Sequence, residues 1–146
     1  MTRLGIPSTR PPQGSDGRRT VIPVELARKT LDQLPGLPVN LSDDLSDHQK
    51  RQVVGHLLEG RIQGDALVVR GRLYDRNYGE LAVVLQANQG ALGMSYECTD
   101  CAIEDTNAPV WTLSGLRWTG CSILKRTNAA YQGTSIALAA GWARVA

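Results

Sequence analysis

The chain has 146 residues, of which 42% are apolar and 21% charged, the profile of one soluble globular domain long enough to bury a core without cross-links. A formal net charge of +2 argues against a specific nucleic-acid or membrane partner. No apolar run nears the roughly 20 residues a membrane helix needs and no secretion signal opens the chain, so it is expected to stay where it is made.

Residues 1–20 are dense in Pro, Gly, Ser and Arg and have no helical or strand period. They read as an extended N-terminal arm, disordered alone and suited to lying on a neighbouring subunit. Val24, Ala27, Leu31 and Leu34 then fall on one helical face, with Pro23 in the first turn and Pro35-Gly36 as the stop. From Leu37 to Arg51 the chain is polar and reads as a loop containing Asp43, Asp44, Asp47 and His48. A histidine there is either a solvated surface group or a base.

Gln52 to Glu59 and Ala66 to Tyr74 read as two strands joined by a turn over Gly60 to Asp65. Asn77 and Glu80 form a capping pair for a helix over residues 79–89, whose Leu81, Val84, Leu85 and Asn88 share a face before Gly90 ends it. Leu92 to Glu97 reads as a strand with Gly93, Ser95 and Glu97 on one face. Gly93 leaves room beside the Ser95 hydroxyl, which is either an ordinary solvated group or a nucleophile.

A polar turn is expected from Asp100 to Pro109, then strands over Val110 to Leu113 and Trp118 to Lys125, the latter with Trp118, Gly120, Ser122 and Leu124 on one face. Arg126 to Gly133 reads as loop, and residues 135–145 as a strand or docking tail. Trp111 and Trp118 are expected in the core or on the sheet face, Trp142 as an anchor of the tail, and Tyr74, Tyr78 and Tyr131 at the core's edge. Cys98-Thr99-Asp100-Cys101 has the spacing of half a zinc site, but the other half is missing and Cys121 stands alone. The cysteines therefore read as reduced thiols, with no metal and no cofactor. The resulting fold class is α+β: a mixed or antiparallel sheet, or small barrel, of five to seven strands with two or more packed helices.

The order of these features resembles the prohead proteases of tailed bacteriophages, capsid-maturation serine proteases related in fold to herpesvirus assemblins. The resemblance rests on His48-Gln-Lys-Arg-Gln-Val-Val-Gly55, the strand pair Arg61 to Leu73, the helix after it, Gly93-Met-Ser95, and Trp118 to Leu124 with the following Asn128-Ala-Ala-Tyr131. It covers about residues 21–138, leaving 1–20 as the arm and 139–146 as a C-terminal tail. It implies a serine endopeptidase that cleaves the major capsid protein, its scaffold and itself inside the procapsid, assembled in the host cytoplasm, with Ser95 as nucleophile and His48 as base. Oxyanion donors are expected in the loop of Arg126, Thr127 and Asn128.

One departure from the family stands out. Where many members carry the Glu that opens the closing strand, often assigned as the third catalytic group, this chain has Gly120. Glu97, Asp47 and His56 are the candidates to replace it. The same departure, the short C-terminus and the Pro/Arg-rich arm suit an alternative role: a protease-like domain kept in the virion as a decoration or cementing protein, capsid-bound or homo-oligomeric.

Overall fold

The computed structural model describes residues 1–41, 45, 46, 48, 52–74, 76 and 79–138. Among them the elements run β1 (Thr2–Arg3), β2 (Arg19–Val21), α1 (Val24–Lys29), β3 (Pro38–Leu41), β4 (Val53–Gln63), β5 (Ala66–Leu73), α2 (Leu81–Asn88), β6 (Leu92–Ile103) and β7 (Val110–Lys125). The architecture is α+β, a curled mixed sheet of seven strands with two short helices, as the sequence predicts. Among the described residues no helix is long and apolar enough to cross a membrane.

β7 is the hub of the sheet. From Leu113 to Lys125 it pairs antiparallel with β6 along one edge. On the other edge β2 runs parallel to its first part and β3 parallel to its last part. From β3 the sheet continues through β4 and β5 to β1, every pair antiparallel. The core inside the curl is aliphatic, with Val54, Leu57, Leu67, Leu85 and Leu92 almost fully buried, and Trp118 and Tyr131 packed with it. Trp118 is held there by its indole N–H, which donates to the Thr30 hydroxyl at 2.9 Å.

Several expected boundaries move, each for a local reason. The first helix keeps its apolar face but α1 stops at Lys29, because the Thr30 N–H bonds back to the Ala27 carbonyl and the chain tightens into a 3-10 turn over Leu31–Gln33. Gly60 starts no turn. Leu34 packs over it, the space of a side chain is already filled, and β4 runs on to Gln63. The hairpin is closed by Gly64 and Asp65 alone, with Gly64 at φ +59° supplying the left-handed residue that a two-residue turn needs.

α2 buries Leu81 and Leu85 but leaves Val84 and Asn88 exposed, and it begins on Glu80 without a side-chain cap. Asn77 lies outside the described residues, as do Asp47, Tyr78 and Trp142. Residues 38–41, expected as loop, form β3. The expected turn from Asp100 begins only after Ile103, and the two strands expected after it are one strand, β7.

The arm is extended, but its own chain holds it. β1 pairs with β5, β2 pairs with β7, and Met1, Leu4 and Ile22 are buried in the core. Between them, Tyr131 donates its hydroxyl to the carbonyls of Thr20 at 2.8 Å and Ile6 at 3.2 Å. At the other end, Ile136 and Leu138 pack partly buried on the core without forming a strand.

Candidate active site

The register of β3, β7 and β6 sets a polar row between two apolar ones. Val39, Cys121 and Tyr96 are partners across the three strands, then Asn40, Ser122 and Ser95, then Leu41, Ile123 and Met94. Side chains alternate along a strand, so the polar row faces away from the rows beside it. Glu97 follows Ser95 by two residues and shares its face. These four polar residues are nearly closed to solvent, with Ser122 at 0%, Asn40 at 1%, Ser95 at 4% and Glu97 at 7% exposure.

Burial on that scale demands partners, and the Glu97 carboxylate collects them. Ser122 donates its hydroxyl to Oε1 at 2.7 Å, and the Asn40 amide donates to Oε1 at 3.0 Å and Oε2 at 3.1 Å. His48, from the segment after β3, brings Nδ1 to 2.9 Å from Oε1. An ionised carboxylate only accepts, so this contact puts the proton on Nδ1 and fixes the ring's tautomer and orientation. Burial pushes the Glu97 carboxyl up, but the hydrogen bonds from His48, Ser122 and Asn40 outweigh it and hold the group below the usual carboxylate value. Glu97 is therefore an anion at neutral pH. Asn40 serves it at a cost, since its Oδ1 is buried without a hydrogen-bond partner among the described residues.

His48, Ser95 and Glu97 line one cleft of about 710 Å³, together with Asn128. Residues 10–15 of the arm line it too. They are fixed there by the Thr9 and Arg10 N–H groups, which donate to the Ala130 carbonyl at 2.8 and 3.2 Å, and by the Arg10 guanidinium, which donates to the Thr127 carbonyl at 2.9 Å.

The residues expected from the sequence are thus largely brought together. Ser95, His48 and Glu97 share the cleft. Arg126, Thr127 and Asn128 form a 3-10 turn directly after β7, with Asn128 donating to the Ser46 carbonyl at 3.0 Å at the cleft and Arg126 donating to the Gly90 carbonyl at 2.7 Å away from it. His56 is not part of the group: it sits on β4 with Nδ1 2.9 Å from the Tyr74 hydroxyl. Gly93 does not open space beside Ser95. A side chain there would come within 2.7 Å of the Thr134 hydroxyl, which pins β6 by accepting from the Met94 N–H at 3.1 Å and donating to the Met94 carbonyl at 3.0 Å.

Sequence reasoning passed over Asn40 and Ser122. Asn40 is the one polar residue in the apolar run Pro38 to Leu41, a pattern that marks a polar group facing something specific, while Ser122 shares the alternation of β7 with Gly120. Only the register reveals that both converge on Glu97. The register also explains Gly120, which lies opposite Glu97. A β-carbon at 120 would stand 3.1 Å from Glu97 Oε2 and 2.9 Å from the Pro38 carbonyl oxygen, and the backbone there has φ +155°. The same site marks a bulge, since Glu97 pairs with Gly120 but Cys98 with Trp118. Thr119 is the extra residue, and Trp118 is carried off the face of Ser122 to meet Tyr96 edge-on, ring centroids 5.9 Å apart. Scans against protein-family models, curated proteins and solved structures found no match.

Proposed function

We propose that this chain is a serine endopeptidase of the prohead-protease kind, with Ser95 as nucleophile, His48 as base and Glu97 as the acid that orients it. The observation that carries the reading is the buried Glu97 carboxylate on His48 Nδ1, two residues from Ser95 on the same strand face. An imidazole so held accepts the Ser95 proton on its other nitrogen while the anion stabilises the imidazolium that forms. The Ser95 oxygen attacks the peptide carbonyl carbon, the tetrahedral intermediate collapses with protonation of the leaving amine by His48, and water releases the acyl-enzyme by the same two steps. Backbone N–H groups of the turn at Arg126, Thr127 and Asn128 are the expected oxyanion donors.

Gly120 then ceases to count against catalysis. In the family pattern the acid comes from this position of the closing strand; here the carboxylate arrives from Glu97, directly across the strand pair, and occupies the space that a side chain at 120 would need. The substrates that follow from this reading are segments of the major capsid protein or its scaffold, cut within the procapsid.

The test is co-expression with the cognate major capsid protein, followed by intact mass of that protein. Shortening with the native chain and none with Ser95→Ala supports the protease. Unchanged mass in both, with the chain retained on the particle in fixed ratio, replaces it with the decoration role.

A further inference from the structure

Cys98 and Cys101 lie three residues apart on β6, and in an unbroken strand such residues point to opposite faces about 10 Å apart. Here their sulfurs are 3.3 Å apart. The cause is a second irregularity in the β6–β7 ribbon: Thr99 pairs with Arg117 and Ala102 with Gly115, so Asp100 and Cys101 together oppose the single residue Leu116. Asp100 takes φ +51° at this bulge, with its carboxylate 2.9 Å from the Arg117 guanidinium. Backbone strain is thus accepted at a place where its effect is to join two thiols. Both line the cleft that holds His48, Ser95 and Glu97.

We propose that Cys98 and Cys101 form a reversible intramolecular disulfide at the rim of this cleft, made by exchange with a low-molecular-weight disulfide such as oxidised glutathione. The sulfurs need to close by about 1.3 Å to reach bonding distance, a side-chain rotation rather than a rearrangement of the strand. Among the described residues no group of three or more His, Cys, Asp or Glu is placed to hold a metal ion, so the pair is read as a dithiol rather than as part of a metal site.

The two thiols are unequal in the way exchange requires. The contact between the two sulfurs lowers the exposed Cys101 thiol to about 7, while that same contact and burial push Cys98 up, so the proton shared between them rests on Cys98. Cys101 is therefore the attacking thiolate. It displaces one glutathione thiolate and forms a mixed disulfide. Cys98 then gives up its proton to solvent, its sulfur attacks the Cys101 sulfur, and the second glutathione thiolate leaves. The balance is two protein thiols and one glutathione disulfide converted to one protein disulfide and two glutathione thiols. Cys121 takes no part, being fully buried and pushed up to about 12 by that burial.

The proposal is independent of any chemistry at Ser95, and the full chain tests it. After incubation with oxidised glutathione and trapping of free thiols by iodoacetamide, non-reducing peptide mass spectrometry is expected to find a Cys98–Cys101 bond within one chain and Cys121 alkylated only after unfolding. Before oxidation, Cys101 should alkylate at least about tenfold faster than Cys98 in the native chain, half-maximally near pH 7. Cys98→Ser should stop at a glutathione adduct on Cys101. Retention of all three thiols in excess oxidant, a stable glutathione adduct on native Cys101, a bond between chains, or equal alkylation of Cys98 and Cys101 would each overturn it.

Discussion

At the scale of single residues, Glu97 decides what the polar row can do. Replacing it by Gln keeps the shape but presents an amide N–H₂ to donors at Ser122 and Asn40, and it removes the charge that fixes His48. Glu97→Gln should lower stability by about 1–3 kcal/mol, as for a buried group left with mismatched partners, and lower kcat about a thousandfold if His48 is the base. Urea unfolding and single-turnover cleavage separate the two effects. The acid dependence follows from the direction of the Glu97 shift. Its folded value lies below the ordinary 4.5, so the unfolded chain binds its proton first as pH falls. The contribution is whole above the ordinary value and is lost as pH drops through the folded one. Unfolding midpoints of native and Glu97→Gln protein should therefore converge below pH 4.5; a constant gap down to pH 3 would contradict this.

Ser95, His48 and Glu97 were legible as candidates because strand alternation and motif order are local properties of the chain. Asn40 and Ser122 were not. Their part depends on which residues sit opposite one another across β3, β7 and β6, and register between strands far apart in sequence is set by packing rather than by local pattern.

Among the elements, the β6–β7 ribbon positions Ser95, Glu97 and Ser122, and its irregularities are what the sequence concealed. An alternating pattern reads straight through Thr119 and Gly120, yet the bulge there is what lets Trp118 and Ser122 face opposite sides. Gly120→Ala places a β-carbon against the Pro38 carbonyl and Glu97 at a φ that side chains rarely adopt. It should cost about 2–3 kcal/mol in thermal or urea unfolding, whereas Gly79→Ala, with open space around it, should stay within about 0.5 kcal/mol. Equal effects would mean that the bulge is not a constraint. β3 escaped notice because four residues with a proline at one end carry too little periodicity to announce a strand. It is recognisable only as the bridge from β4 to β7.

For the whole molecule, the arm is the largest departure from expectation. A segment too polar to fold alone is ordered by the few apolar residues at its ends: Met1 and Leu4 enter the core, β1 and β2 join the sheet, and the polar middle becomes a wall of the cleft. Removing residues 1–18 should cost about 3–6 kcal/mol, from burial of Met1 and Leu4 at about 1.5–3 kcal/mol each. That is a large part of the stability of a domain this size, and a urea titration reads it directly. An unchanged midpoint would mean that the arm rests on the domain without supporting it.

The proposed activation of Ser95 as a nucleophile through His48 and Glu97 is open to covalent labelling of the native chain with a fluorophosphonate, located by peptide mass spectrometry. One adduct is expected, on Ser95, absent in Ser95→Ala and forming about a hundredfold more slowly in Glu97→Gln. No adduct on the folded protein, or an adduct on Ser122 in place of Ser95, would contradict it.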